Sequence, residues 1–236
     1  MALPKISQPV FEMTIPSNKK KIKYRPMLVK DEKILLIAKQ SKERSDIMTA
    51  IKQVVNNCII TENVNIDDLA IFDIEYMFIK LRAASISNIS KVSYQDVEDE
   101  KVYDFDIDLN ALDVKMNENV NNKITVSKNL ILELRWPPAS LYSSKTLYDA
   151  TDETMFDIMV SASMSKLYEG DTVHDMKLTT PEERSEFIGD LPAKAAEQIR
   201  EFFSNIPTIY HEINYKNSKG TERKIVLNTL DDFFTL

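Results

Sequence analysis

Three features of this sequence predict an α+β protein, with helical layers, a small antiparallel β unit and a C-terminal β-hairpin. Apolar residues recur at helical spacing through residues 28–90 and again through 137–206. Residues 91–136 instead alternate apolar and polar side chains, and residues 207–236 alternate again about a glycine-containing turn. Hydrophobic residues make up 43% of the chain and charged residues 28%, enough apolar mass for a core and enough charge to stay soluble.

Residues 1–27 read as an extended N-terminal arm. They hold four of the nine prolines, with short extended runs at Val10 to Ile15 and Ile22 to Leu28. Proline lacks the N–H that a central strand donates, so these runs belong at an edge or order on a neighbour. Lys19, Lys20 and Lys21, with Lys23 and Arg25, form the one basic cluster. A solvated turn and a contact with an acidic protein surface both fit it. In residues 28–90, Asp31 to Gln40 gives a short helix. A second begins near Ser45, with Ile47, Ile51, Val54, Val55 and Cys58 on one stripe. A third, between Asp73 and Ser85, repeats the period in Ile74, Met77, Phe78, Leu81 and Ala84. Asp73 and Glu75 stand near its start, where the helix dipole favours acids.

In residues 91–136, Val102 to Leu109 alternates strictly and the β-branched run from Ile124 to Trp136 follows suit. Asn117 to Lys123 is the expected connection, and Pro137 with Pro138 closes the unit. In residues 137–206, Asp152 to Ser163 puts Met155, Ile158, Met159 and Ala162 on one face. Thr180-Pro-Glu-Glu183 has the form of a capping box with proline at the first helical position, and Pro192 to Ser204 buries Ala196, Ile199, Phe202 and Phe203. In residues 207–236, Thr208 to Tyr215 and Thr221 to Leu227 form a hairpin about Lys216 to Gly220. A terminal turn then carries Phe233 and Phe234, two large apolar side chains that need a surface to dock on.

The composition excludes several functions. A net charge of −7 argues against non-specific duplex binding, because phosphates repel an acidic surface unless a basic patch is set apart on it. No nucleic-acid partner is expected, and a nucleic-acid binder is a third reading that requires the lysine cluster to dominate an acidic body. The single cysteine, Cys58, has no disulfide partner, and the chain shows neither a signal-peptide pattern nor an apolar run long enough to span a membrane. Both suggest a cytoplasmically made protein. Three scattered glycines rule out a phosphate-cradling loop and a dinucleotide fingerprint. Asp104, Asp106 and Asp108 suggest a calcium loop, yet the glycine and glutamate which that loop requires are replaced by Leu109 and Lys115. Alternation puts these carboxylates on one strand face, about 6.5–7 Å apart. They make a solvated face, an acidic docking stripe, or the weak metal site of a small metal-dependent hydrolase, the alternative function of another class. His174 falls in a loop-like stretch, and His211 alternates with Ile213 and Tyr215. Neither has a second ligand at metal spacing, and no Gly-x-Ser-x-Gly elbow places a nucleophile. No cofactor or metal is expected, and the chain reads as a non-enzyme that works by binding proteins. Trp136 fits an interface anchor or a core plug, and the ten methionines fit core filling or an adaptable surface.

The run Tyr24-Arg-Pro-Met-Leu-Val-Lys-Asp-Glu-Lys-Ile-Leu-Leu-Ile-Ala38 is followed by Ile51-Lys-Gln-Val-Val-Asn-Asn-Cys-Ile59 and Phe72-Asp-Ile-Glu-Tyr-Met-Phe-Ile-Lys-Leu-Arg-Ala83. In that order and spacing, and with Ile213 to Leu227 near the end, the chain resembles the baseplate hub subunits of T4-like contractile-tailed bacteriophages. The resemblance is strongest across residues 24–84. Some members resembling this chain carry paired cysteines in the β unit, suggestive of a zinc ribbon. This chain has none there, so zinc is not carried over from the resemblance, which implies at most a degenerate zinc-ribbon-like insert held by packing alone. The resemblance implies a virion role in the tail baseplate, assembled in the host cytoplasm, with other baseplate hub and tail proteins as partners. It is compatible with a permanent hub subunit or with a transient hub-assembly chaperone absent from the mature virion, and it leaves homo-oligomerisation open. The residues expected to touch partners are Lys19, Lys20, Lys21, Arg25, Trp136, Phe233 and Phe234.

Overall fold

The computed structural model describes residues 6–234. The described residues form an α+β fold of eight α-helices and small antiparallel sheets, divided into two compact units. One unit is Met1–Lys115 with Thr208–Leu236, and the other is Met116–Pro207.

In the first unit, β1 (Phe11–Thr14) and β2 (Lys21–Tyr24) pair antiparallel, with Phe11 opposite Tyr24. Where an extended arm is expected, the described residues fold as a hairpin onto their own unit. Met13, Ile15, Ile22 and Tyr24 are all buried. The two-residue alternation of these side chains needs a covered face, which a projecting arm lacks. Three helices follow: α1 (Val29–Ser41), α2 (Arg44–Cys58) and α3 (Ile71–Ser85). On α2 the stripe Ile51, Val54, Val55 and Cys58 is buried as its spacing predicts. On α3 the buried set widens to Ile71, Phe72, Ile74, Met77, Phe78, Ile79 and Leu81, making it the central helix of the unit. Both α1 and α3 start with an aspartate at the third helical position that accepts the N–H of the residue before the helix. The distances are 2.9 Å from Leu28 N to Asp31 and 3.1 Å from Ala70 N to Asp73. Each carboxylate thereby satisfies a donor that a helix start leaves unpaired.

β3 (Ile89–Gln95) and β4 (Val102–Asp108) make a separate two-stranded sheet. β5 (Asp113–Lys115) joins a different one. In the second unit, β6 (Lys123–Ser127) and β7 (Leu130–Leu134) lead into α4 (Lys145–Tyr148) and α5 (Asp152–Ser163). The chain continues through β8 (Met164–Glu169), β9 (Thr172–Asp175), α6 (Pro181–Gly189) and α7 (Ala193–Ser204). The antiparallel sheet order is β6-β7-β8-β9. Residues 91–136, read from sequence as one β unit, therefore serve three sheets, because alternation decides which face is buried but not which strand lies alongside. The β8–β9 hairpin also interrupts a stretch expected to be helical. All four β9 residues are exposed, so no apolar alternation marks that strand, and Gly170 takes the turn at φ 56°.

The core of the second unit gathers Ile124, Leu132 and Leu134 from the sheet with Val160, Ile188, Ile199 and Phe202 from the helices. Thr180 caps α6 as its sequence predicts: its N–H donates to Glu183 Oε2 at 2.7 Å, and Glu183 N donates back to Thr180 Oγ1 at 3.2 Å. On α5 the face Met155, Ile158, Met159 and Ala162 is only half-buried, and Val160 is the apolar residue fully covered. The chain then returns to the first unit through β10 (Thr208–Lys216), β11 (Glu222–Leu227) and α8 (Leu230–Phe233). Here the sheet order is β11-β10-β5.

Candidate interaction surfaces

Two buried aspartates fasten the β1–β2 hairpin to the helices. Asp31 is 0% exposed. Its carboxylate accepts from Arg25 Nη1 at 2.8 Å and from Asn57 Nδ2 at 3.3 Å, while Arg25 also donates to Pro26 O and Asn57 O. Burial alone raises the Asp31 carboxyl, but the Arg25 guanidinium and the Leu28 N–H outweigh it and hold the group below its ordinary value. Asp73, equally buried, accepts from Ser17 N at 2.9 Å and Ser17 Oγ at 2.6 Å. Burial holds Asp73 above the ordinary value, with the Ser17 and Ala70 hydrogen bonds pulling against it. The two sites differ in that only Asp31 has a guanidinium against it. Arg25, expected as an exposed partner contact, is thus spent inside the fold. The Cys58 thiol beside this pair is buried, and desolvation pushes it up to about 11.

A second clasp joins the β3–β4 turn to the β10–β11 turn. Tyr215 Oη donates to Asp96 Oδ2 at 2.6 Å, Arg223 Nε to the same oxygen at 3.2 Å, and Arg223 Nη2 to Glu98 at 2.8 Å. Ser218 donates to Asp99 through both N–H and hydroxyl at 2.8 Å, and Tyr103 Oη donates to it at 2.6 Å. Burial raises the Asp99 carboxyl, yet the Tyr103 and Ser218 donors prevail and hold it far below the carboxylate range. Nothing in the linear sequence marks Asp96 or Asp99 as a clasp, since Tyr215, Ser218 and Arg223, which tie them to the second hairpin, stand more than a hundred residues away.

An apolar groove of about 470 Å³ lies in the first unit between α1 and the corner where α3 passes into β3. Phe78, Phe233, Phe234, Leu36, Ile86 and Ile89 are among the residues that line it. Phe233 is 2% exposed and belongs to the core of the unit, while Phe234 is half-buried. Phe234 meets Phe78 edge-on at 5.9 Å and lies under the Arg82 guanidinium, also at 5.9 Å. Ser90 Oγ fixes the segment by donating to Phe233 O at 2.6 Å. The structure thus brings Phe233 and Phe234 together in one recess and separates them from the lysine turn.

Lys19 and Lys20, between β1 and β2, and Lys21, the first residue of β2, are exposed. Lys19 is in the left-handed region at φ 58°, and Lys20 Nζ donates to Asn63 O at 3.1 Å. In the second unit Trp136 is half-buried and stacks on Phe202 at 4.5 Å and 12°. Asp104, Asp106 and Asp108 are exposed on β4: Asp104 accepts from Ser93 Oγ and Asp108 from Asn88 Nδ2, while Asp106 faces Lys91 across the strand pair. Among the described residues no group of three or more His, Cys, Asp or Glu side chains is arranged to hold a metal ion. His174 Nε2 lies 3.1 Å from Glu169 Oε2, and His211 is half-buried opposite Leu227. No described helix is long and apolar enough to cross a membrane.

Comparison with curated proteins and with solved structures gives no match. A family model does match, over residues 8–235, which is nearly the whole chain and takes in both units. The ordered motifs of residues 24–84, the hairpin of β10 and β11 and the segments between them all fall inside that match, and the chain belongs to the T4 bacteriophage base plate protein family, structural proteins of the phage tail baseplate.

Proposed function

We propose that this protein is a subunit of the central hub of a contractile phage tail baseplate and that it works by binding neighbouring proteins, not by catalysis. The observation that carries this reading is the family match over residues 8–235. The geometry is compatible with it. The acidic side chains that attract attention in sequence either lie spread along a solvated strand face or are engaged in tying loops of the same unit together. Large apolar side chains, by contrast, stand exposed on α1 and around the groove. On this reading the Lys19–Lys21 turn and the groove margin beside Phe234 are contact surfaces, and Arg25 and Phe233 act indirectly by holding those surfaces in shape. Trp136, stacked on Phe202, stiffens the second unit.

Quantitative mass spectrometry of purified virions tests the reading. A fixed copy number per tail, with crosslinks to hub proteins, is the expected result. Presence in infected-cell lysate and absence from finished particles would replace the permanent subunit by the transient assembly factor. Crosslinks confined to the baseplate periphery would remove the hub assignment.

A further inference from the structure

The groove between α1 and the α3–β3 corner is built unlike the rest of the surface. Its apolar character continues outward: Leu36 is 62% exposed and Ile86 56%. Val29, Leu36 and Ile37 extend the apolar surface as an exposed stripe along α1, at positions i, i+7 and i+8. An exposed stripe leading into a recess marks a binding surface more than scattered apolar residues do.

Charge then narrows the occupant. The chain as a whole carries −7, yet the groove is lined by Lys39, Arg82 and Lys91 against a single carboxylate, Glu32. Lys30 and Lys33 are exposed on the adjoining face of α1. Arg82 is the most telling of these groups. Its Nη1 is buried and has no hydrogen-bond partner among the described residues, although its guanidinium lies over the Phe234 ring in the groove wall. A guanidinium nitrogen withdrawn from water without an acceptor is a costly arrangement that an incoming carboxylate relieves, with geometry suited to a bidentate pair.

We propose that this groove receives an acidic amphipathic segment of a neighbouring baseplate protein. Apolar side chains of that segment seat on Leu36, Phe78, Ile86 and Phe234, and one of its carboxylates reaches Arg82. Lys30 and Lys33 steer it by the same sign of charge. The inference rests on the baseplate reading and adds to it the face and the chemistry of the contact.

The test places the photoreactive residue p-benzoylphenylalanine at Leu36 of the full chain in phage-producing cells, and mass spectrometry maps the adduct. The expected adduct is a segment of another baseplate protein in which aspartate or glutamate stands among apolar residues. Its yield should fall about ten-fold in Arg82→Glu, in keeping with loss of a charged hydrogen bond, and recover when the carboxylate of the mapped segment is changed to lysine. Lys33→Glu, on the open surface, should lower the yield without touching the core, so that the charge dependence does not hang on folding of the Arg82 variant. An adduct to a second copy, to residues 235–236 of this chain, or to a segment without a carboxylate overturns the proposal. So does the absence of any adduct in tails that contain the chain. Absence of the chain from tails at every stage overturns the baseplate reading as well, which separates the two failures.

Discussion

Replacing Arg25 by methionine should destabilise the first unit by about 3 kcal/mol at neutral pH, the lower end of the range for breaking a buried ion pair. The magnitude follows from the site. The Asp31 side chain is 0% exposed and that of Arg25 16%, and the guanidinium is 2.8 Å from the carboxylate. Methionine keeps much of the stem volume, so the loss is electrostatic and hydrogen-bonding and not a cavity. Asp31 would retain the Leu28 N–H and Asn57 amide but lose its countercharge, and the carbonyls of Pro26 and Asn57 would lose a donor. The folded-state value of Asp31 is depressed, so its contribution is present above the ordinary carboxylate value of 3.8 and is lost as pH falls through the lower folded value. The difference between wild type and Arg25→Met should therefore be greatest near pH 7 and shrink below about pH 4. Urea unfolding followed by far-UV circular dichroism at pH 7, 5 and 3.5 measures it. The Arg25→Met/Asp31→Asn double variant should recover part of the loss. A difference under about 1 kcal/mol, the value typical of exposed pairs, or one that is flat with pH, would refute the argument that this pair acts as a buried one.

Other consequences can be checked with similar means. Glu75, raised to about 7 by burial and then by the nearby Asp231, should make wild type lose stability as pH rises from about 4.5 to 7, since the folded state holds the proton longer. Glu75→Gln should remove that slope and gain on the order of 1–3 kcal/mol at pH 8, given about 1.4 kcal/mol per pH unit and partial exposure of the side chain. A parallel slope in both proteins would exclude it. Cys58, buried and pushed up to about 11, should resist iodoacetamide at pH 8 until the protein unfolds, and Arg25→Met should speed the labelling. Phe202→Ala should cost about 3–5 kcal/mol in the second unit, and it should shift Trp136 emission to the red by removing the stacked ring. Unchanged emission would place Trp136 elsewhere.

What could be read from the sequence followed the range of each signal. Helices α2, α3, α6 and α7 and the hairpin of β10 and β11 were legible because periodicity, caps and turn residues act within a few positions. The capping box at Thr180 is the clearest case, since donor and acceptor stand three residues apart. Strand partnership was not legible. β5 pairs with β10 across nearly a hundred residues, and its three-residue length carries no pattern. Tertiary packing, which no local pattern reports, hid the roles of charged residues. Arg25 reads as part of a basic cluster, yet its partner Asp31 lies buried under the hairpin that the cluster decorates. Asp31 and Asp73 look like ordinary acids at helix starts, and only the fold shows that each also holds β1–β2 in place. The groove was half visible. Phe233 and Phe234 announced a need for a docking surface, but its location on α1, α3 and β3 depends on tertiary packing.

The short ladder of β5 and β10 has a further consequence. Thr208 stands directly opposite Lys115, so the chain departs from the first unit and re-enters it at the same rung of one ladder. The whole of Met116–Pro207 is therefore an interruption of a hairpin whose two stems are already side by side. A tight turn of a few residues could close that gap without moving either stem, because antiparallel neighbours need only a short loop. Insertions, deletions and wholesale exchange among related phages should accordingly concentrate between those two residues, while the flanking segments keep their length.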